Sequence, residues 1–505
     1  GSEVSAPATL VAKNDDMTIN GNLTDVVALS ITNGAVTLGQ SVGVLSHVTV
    51  GNDATLSFES SSYSGMYSQP GELVLQTLTV HGVSVSTGGA NGVLYLNDGV
   101  SITADDVQLN KGTTNVYGAV SIYAGTLNVS NGFVVTGVAK GYSARSGPGY
   151  AGSSDIRASA SHGGRGGTSW VGALYGSIYE PVMPGSGGYG GAGGAALRLD
   201  ADQFVMDGTI DMDGASSSYG AGAGGSVYIT TRLLEGTTAN GLITARGGVA
   251  TGNSGYYWNS LYQGASGGGG GRIALYCDLS THPLSFKSFS NVPLMQAYGG
   301  EDGGSTDRRG GSGTMYLECG GASGALVLDA NGYPRTTDLI DDGVTTFYFD
   351  YLYLFNSAKL ALAPRNIGDN VTTMLANMTS GDNTGELLIA GNQRLVVLPR
   401  AGDVEFGFEV TTSAGSVVSA PATLAVKNDD MTINGNLTGV ETLNVVNGAV
   451  TLGQSVDVLS HVTVGNDARL TFESSSYSGM YSQPGELVLQ TLTVHGVSVS
   501  TGGAN

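Results

Sequence analysis

Side chains able to carry covalent, acid–base or metal chemistry are sparse in this chain of 505 residues, which has two cysteines and six histidines, with 41 acids against 20 bases. General acid–base work needs two carboxyls facing one cleft. Adjacent acids include Asp15-Asp16, its duplicate Asp429-Asp430, Glu301-Asp302 and Asp341-Asp342. Sequence neighbours on a strand point to opposite faces. None of these pairs has a histidine or a base at matching strand spacing, so they read as turn and cap residues. The histidines reduce to four kinds, since His47 and His461 are duplicates, as are His81 and His495, leaving His162 and His282. None shows the His-x-x-x-His or paired-cysteine spacing of a zinc site. No catalytic, cofactor or metal residue is therefore assigned, and an enzyme is not expected.

Three other residue sets invite a chemical reading. Thirteen of the 24 tyrosines fall between 141 and 316, including the cluster Tyr256, Tyr257, Trp258 and Tyr262. Aromatic rings among glycines suit stacking on sugars or lateral contacts, and they equally suit packing against a sheet with the hydroxyl wet. Asn-x-Ser/Thr sequons at Asn22, Asn128, Asn370, Asn377 and Asn436 permit N-glycosylation in a secreted eukaryotic protein, at about the number chance supplies. Glycine runs such as Gly187-Gly188-Tyr189-Gly190-Gly191 and Gly267 to Gly271 do not make a phosphate loop, because no Gly-Lys-Ser/Thr follows and no helix N-terminus is in prospect.

Strands must position whatever these residues do. Apolar-x-apolar cores alternate with Asn, Asp and Gly turns: Leu29-Ser30-Ile31 precedes Asn33-Gly34, and Val48-Thr49-Val50 precedes Gly51-Asn52-Asp53. That is the period-2 pattern of half-buried strands, with corners supplied by residues that accept positive φ. Residues 1–91 recur as 415–505, identical at 79 of 91 positions. Most of the changes respect the alternation, as where Ala28-Leu29-Ser30-Ile31 becomes Thr442-Leu443-Asn444-Val445. The chain thus holds a little more than one unit of a tandem array with a 414-residue period. It opens within the pattern, without an initiator Met or signal peptide, and is expected to be a stretch of something longer.

Between 141 and 313, which holds 42 of the 82 glycines, two strand types alternate at spacings of 30 to 46 residues. One type is Ala196-Leu197-Arg198-Leu199, Ser226-Val227-Tyr228-Ile229, Arg272-Ile273-Ala274-Leu275 and Thr314-Met315-Tyr316-Leu317. The other is Ile210-Asp211-Met212-Asp213-Gly214, Ile243-Thr244-Ala245-Arg246-Gly247 and Met295-Gln296-Ala297-Tyr298-Gly299. Stacking like on like predicts inner ladders Leu197/Val227/Ile273/Met315 and Leu199/Ile229/Leu275/Leu317. The fold class expected is all-β: an elongated right-handed parallel β-helix, or β-solenoid, with long glycine-rich loops on one side. A 414-residue unit would then rise on the order of 50–100 Å at about 4.8 Å per stacked strand. Cys277 and Cys319 fall at the same place in adjacent strands, within disulfide reach, and a bond between them would imply an oxidising, extracellular setting.

The expected segments are β-helix coils over 1–140, glycine-rich coils over 141–320, β-rich coils closing the unit over 321–414, and the start of the next unit over 415–505. A net charge of −21 disfavours nucleic acid. No apolar run of about 18 residues offers a membrane span.

The coils of 26–135 resemble the β-helices of bacterial filamentous adhesins and autotransporter passengers. The 187–320 segment, with its run of glycines leading into Arg272-Ile273-Ala274-Leu275, resembles glycine-rich repeats of large secreted surface proteins. Gly51-Asn52-Asp53-Ala54-Thr55-Leu56 resembles half of the calcium nonapeptide of toxin-type β-rolls, but it neither iterates at nine residues nor has the Gly-Gly-x-Gly lead. No cofactor is expected, and calcium has only that half-motif in its favour. The adhesin resemblance implies a structural, adhesive, extracellular or cell-surface filament that self-associates end to end or laterally and meets glycans or other surface material. A carbohydrate-binding or carbohydrate-cleaving β-helix is the alternative. An ice- or mineral-surface binder ranks below it, since Thr-x-Thr ladders are missing from the sequence.

Overall fold

The computed structural model describes the chain except for residues 1–2, 6–8, 20–21, 25, 39–40, 43–46, 51–53, 59–71, 81–92, 111, 168–171, 237–240, 253–254, 258–259, 263, 281–294, 303–307, 320–321, 342, 364–370, 380–383, 399–403, 407, 429, 453–454, 457–460, 466–467, 473–490 and 495–505. The described residues form an all-β protein without an α-helix, and its sheets are parallel apart from one short antiparallel pair. Two compact units divide at Ala322/Ser323.

In the first unit, long strands pair in chain order, running through Thr9–Lys13, Ala28–Thr32, His47–Val50, Glu72–Val80, Ser101–Leu109, Ala119–Val129, Ala196–Met206, Ser226–Glu235, Arg272–Ser280 and Thr314–Cys319. Short strands from Met17–Ile19 to Met295–Gln296 form a second, nine-stranded parallel sheet. Both expected inner ladders appear in register. Leu197 pairs with Val227, Val227 with Ile273 and Ile273 with Met315, while Leu199, Ile229, Leu275 and Leu317 follow in the next column. All eight are buried.

Three of the long strands also turn a corner. Alternation breaks at Asp105, Asp202 and Arg232, where two successive residues face outward and the buried phase resumes one residue later, while at Asp278 the outward run continues through Leu279. Inside that corner runs a column of small residues, Ala104, Ala124, Ala201 and Thr231, which continues into Cys277 and Cys319.

In the second unit three parallel ladders run side by side. One contains Arg394–Val397, Val417–Ser419 and Asn436–Thr438. A second contains Glu386–Ile389, Glu409–Thr412, Met431–Ile433 and Ala449–Leu452. The third contains Val404–Phe406, Thr423–Lys427 and Thr442–Val446. The strands from Val417–Ser419 to Arg469–Phe472 repeat those from Glu3–Ser5 to Thr55–Phe58 with the same bounds shifted by 414, as Thr9–Lys13 and Thr423–Lys427 show. The corners repeat too. Asn14 and Asn428 have φ of 60°, and Asn33 and Asn447 have φ of 48° and 51°. Each Asn pair is joined by an amide hydrogen bond, of 3.2 Å in the first copy and 3.3 Å in the second.

The glycine-rich segments each lie between a short strand and the next long one, as expected of loops recurring at one place. Their glycine runs are packed, buried chain, while parts such as 143–145 and 218–219 are exposed. Over Gly267–Gly271 the backbone N–H groups donate to Arg308, Gly248, Ala160, Gly311 and Ala245 in turn. Positions three apart meet the same neighbouring segment, which is how an extended helix of three residues per turn presents its donors. A Cβ on any of these five glycines would stand within 2.0 Å of a carbonyl oxygen, so the close approach demands glycine at every position.

Candidate functional site

Cys277 and Cys319 are cross-strand partners with Cα atoms 4.4 Å apart and sulfurs at bonding distance. Both are buried, and the small-residue column supplies the room. Of the aromatic cluster, Tyr256, Tyr257 and Tyr262 lie on an antiparallel pair, Gly255–Tyr257 with Ser260–Tyr262, and Trp258 lies outside the described residues. Described tyrosines elsewhere include both packed and exposed rings, Tyr219 being 44% exposed. Tyr175, Tyr228 and Tyr316 are buried, and Tyr276, its ring 5.5 Å from that of Tyr316, donates its hydroxyl to the Tyr179 carbonyl.

Among the sequons, Asn22, Asn377 and Asn436 lie in strands, Asn436 exposed. Asn370 is outside the described residues. Asn128 is committed to the fold, its amide donating to Gln108 Oε1 at 3.0 Å. Asp16 and Asp430 cap turns, accepting from the Ala35 and Ala449 amides at 2.9 Å. Asp302 lies outside the strands and is met by Arg309 at 3.4 Å. Thr411, Thr432, Thr451 and Thr471 stack as cross-strand neighbours on an outward face. That column is one residue wide, with Glu409, Ala449 and Arg469 beside it.

The most chemically furnished surface comes from residues the acid survey passed over. Asp211 and Asp213 are two apart and share the outward face of the short-strand sheet. Asp211 is the register partner of Thr244, whose hydroxyl donates to it at 2.9 Å. The Arg246 guanidinium meets Asp213 at 2.6 Å and reaches Tyr298 Oη at 3.2 Å. Burial, reinforced by the Asp211 carboxylate, pushes Asp213 up to about 6 against the pull of Arg246. The signal was in the aligned strands Ile210 to Gly214, Ile243 to Gly247 and Met295 to Gly299. Their fourth positions are Asp213, Arg246 and Tyr298, a charge pair and an aromatic across successive strands.

A second polar group sits inside the glycine array. His162 is fully buried, with Nδ1–H donating to the Gly224 carbonyl at 2.8 Å and its ring 4.5 Å from Tyr175. Burial first, then the Arg272 charge, lowers His162 to about 3, so it is neutral. Arg272, 1% exposed, donates to the Tyr175 carbonyl and to Thr314 Oγ1, both at 3.0 Å. Tyr175 in turn donates to the Pro184 carbonyl and accepts from Ser186. Through side chains, these bonds tie the segment holding His162 and Tyr175 to Gly224 and to the strand starts at Arg272 and Thr314.

Among the described residues no cluster of His, Cys, Asp and Glu has metal-binding geometry, and no helix is long and apolar enough to cross a membrane. No family model, no curated protein and no solved structure matches the chain.

Proposed function

We propose that the chain is a section of an extracellular structural filament built from tandem 414-residue units, each a right-handed parallel β-helix with glycine-rich loops on one side. The observation carrying this reading is that all three ladders of the second unit cross the repeat boundary without a break. Arg394 pairs with Val417, Val404 with Leu424 and Val410 with Met431, joining the end of one sequence unit to the start of the next. A linker between independent domains would interrupt these ladders. Continuous pairing lets each coil bury its apolar edge on the next, so that rigid length grows with the number of units. The disulfide-bonded pair Cys277 and Cys319 supports an oxidising compartment.

Negative-stain microscopy of chains carrying one, two and three units tests the reading. The expected particles are rods of constant width whose length rises linearly with unit number. Beads on flexible strings, or short uniform rods that depolymerise a polysaccharide, would overturn it.

A further inference from the structure

We propose that the outward face of the short-strand sheet between Tyr95 and Tyr298 binds an extended, uncharged glycan. Register makes Tyr95, Asn115, Thr136, Asp211, Thr244 and Gln296 successive cross-strand neighbours. At about 4.8 Å per strand this column spans about 24 Å. One strand step is close to one sugar ring along an extended glycan, so the steps at Asn115, Thr136, Asp211 and Gln296 can each offer a polar partner to one residue of the ligand, while Thr244 is buried beneath them and orients Asp211.

Both ends carry aromatic platforms. At one end the Tyr95 and Tyr117 rings are 6.4 Å apart and inclined by 28°, with Tyr117 36% exposed. At the other, the Tyr298 ring lies 5.8 Å from the Arg246 guanidinium. Such rings stack on the apolar face of a sugar. Between them the polar groups other than the buried Thr244 are half-buried and held by one another. Lys140 Nζ, 4.9 Å from the Tyr117 ring centre, bonds Asn115 Oδ1. Arg246 ties Asp213 to Gln296 and Tyr298. A carboxylate accepts about four hydrogen bonds, and a guanidinium donates five, so these groups retain capacity for ligand hydroxyls while their positions stay fixed.

The charge pattern selects the ligand class. Lys140 and Arg246 balance Asp211 and Asp213 on this face, although the chain as a whole carries −21. A polyuronate would meet the acidic surroundings without a cationic excess on the face to offset them. A neutral glycan needs no such offset. This proposal does not rest on the filament reading, since binding by the single chain in solution is its only requirement.

Calorimetric titration of the full chain with cellohexaose, xylohexaose and chitohexaose, with a galacturonate hexamer as the charged control, provides the test. At least one uncharged hexamer is expected to bind saturably and the galacturonate more weakly. Tyr117→Ala should weaken binding about tenfold, the effect of losing one stacking ring, whereas Tyr117→Phe should stay within about twofold of wild type because the ring remains. Tyr117→Thr keeps a strand-favouring side chain and should match the alanine variant, which guards against a folding failure in the latter. Tyr348→Ala, at an exposed tyrosine of the second unit, should change nothing. The proposal is overturned if no neutral hexamer binds the folded chain at millimolar concentration, if the galacturonate binds best, or if loss of the Tyr117 ring leaves affinity unchanged.

Discussion

At the scale of single residues, two titrating groups, the buried His162 and the half-buried Asp213, work against each other. His162 holds a folded value of about 3, below its ordinary 6.5, so the unfolded chain takes up that proton first. Its stabilising contribution is complete above about pH 6.5 and is lost towards pH 3 at about 1.4 kcal/mol per pH unit. Asp213 is raised from 3.8 to about 6, so its contribution is complete below pH 3.8 and is lost as pH rises towards 6. Between about pH 4 and 6 the slopes have opposite sign. Urea midpoints of Asp213→Asn should therefore fall more steeply on acidification than wild type, and those of His162→Gln should rise. Parallel profiles for all three proteins would contradict this assignment. The cysteines make a simpler prediction. Replacing both Cys277 and Cys319 by Ala fits a column already lined by Ala104, Ala124 and Ala201, so the fold should survive. The loss should be about 2–4 kcal/mol from opening a loop of 42 residues, read from the urea midpoint against wild type under oxidising conditions. Under reducing conditions the two proteins should converge.

At the scale of elements, legibility in the sequence depended on whether the pattern ran along a strand or across strands. Alternation and glycine turns run along the chain, so the Leu197 and Leu199 ladders and the cysteine register could be written down from spacing. The Thr411 to Thr471 column could not, because its members lie 19 to 21 residues apart and no Thr-x-Thr marks them. Asp211-x-Asp213 was visible, but a search for adjacent acids excludes the one spacing that puts two carboxyls on the same face. The glycine segments show the limit most clearly. Composition identified loops of close approach, while the threefold sharing of donors among neighbouring segments depends on contacts that composition does not encode. The consequence is testable at Gly269, where a Cβ would lie 1.9 Å from the Gly164 carbonyl oxygen. Backbone cannot retreat as a side chain can, so Gly269→Ala should cost about 3 kcal/mol, the upper range for overpacking. Hydrogen exchange should accelerate in peptides from 141–313 and remain unchanged in those from 323–446. Uniform acceleration along the chain would mean that the array is not a separate cooperative element.

At the scale of the whole molecule, the duplicated sequence provides an internal comparison, because the same strand occurs in two settings. Thr423–Lys427 is paired on both edges, by Val404–Phe406 and by Thr442–Val446. Its counterpart Thr9–Lys13 pairs, among the described residues, with Ala28–Thr32 alone. Burial follows the pairing: Val11 is 58% exposed, whereas Ala425 at the equivalent position is 0% exposed. An edge of unpaired backbone groups is a place for another strand to add, and the segment that suits it is already present in the chain as residues 394–412. A tandem array would supply that segment from the preceding unit and remove the difference between the copies. Amides of Thr9–Lys13 should thus exchange faster than those of Thr423–Lys427 in the 505-residue chain, by at least the tenfold that about 1.4 kcal/mol of local opening represents. Peptides containing Glu3 or Val417 are distinguishable by mass, so both strands can be followed in one experiment. Adding a complete unit ahead of residue 1 should slow the first strand to the rate of the second. Equal rates in the 505-residue chain, or no slowing when the unit is added, would show that consecutive units meet by some contact other than the three ladders seen across residues 394–433.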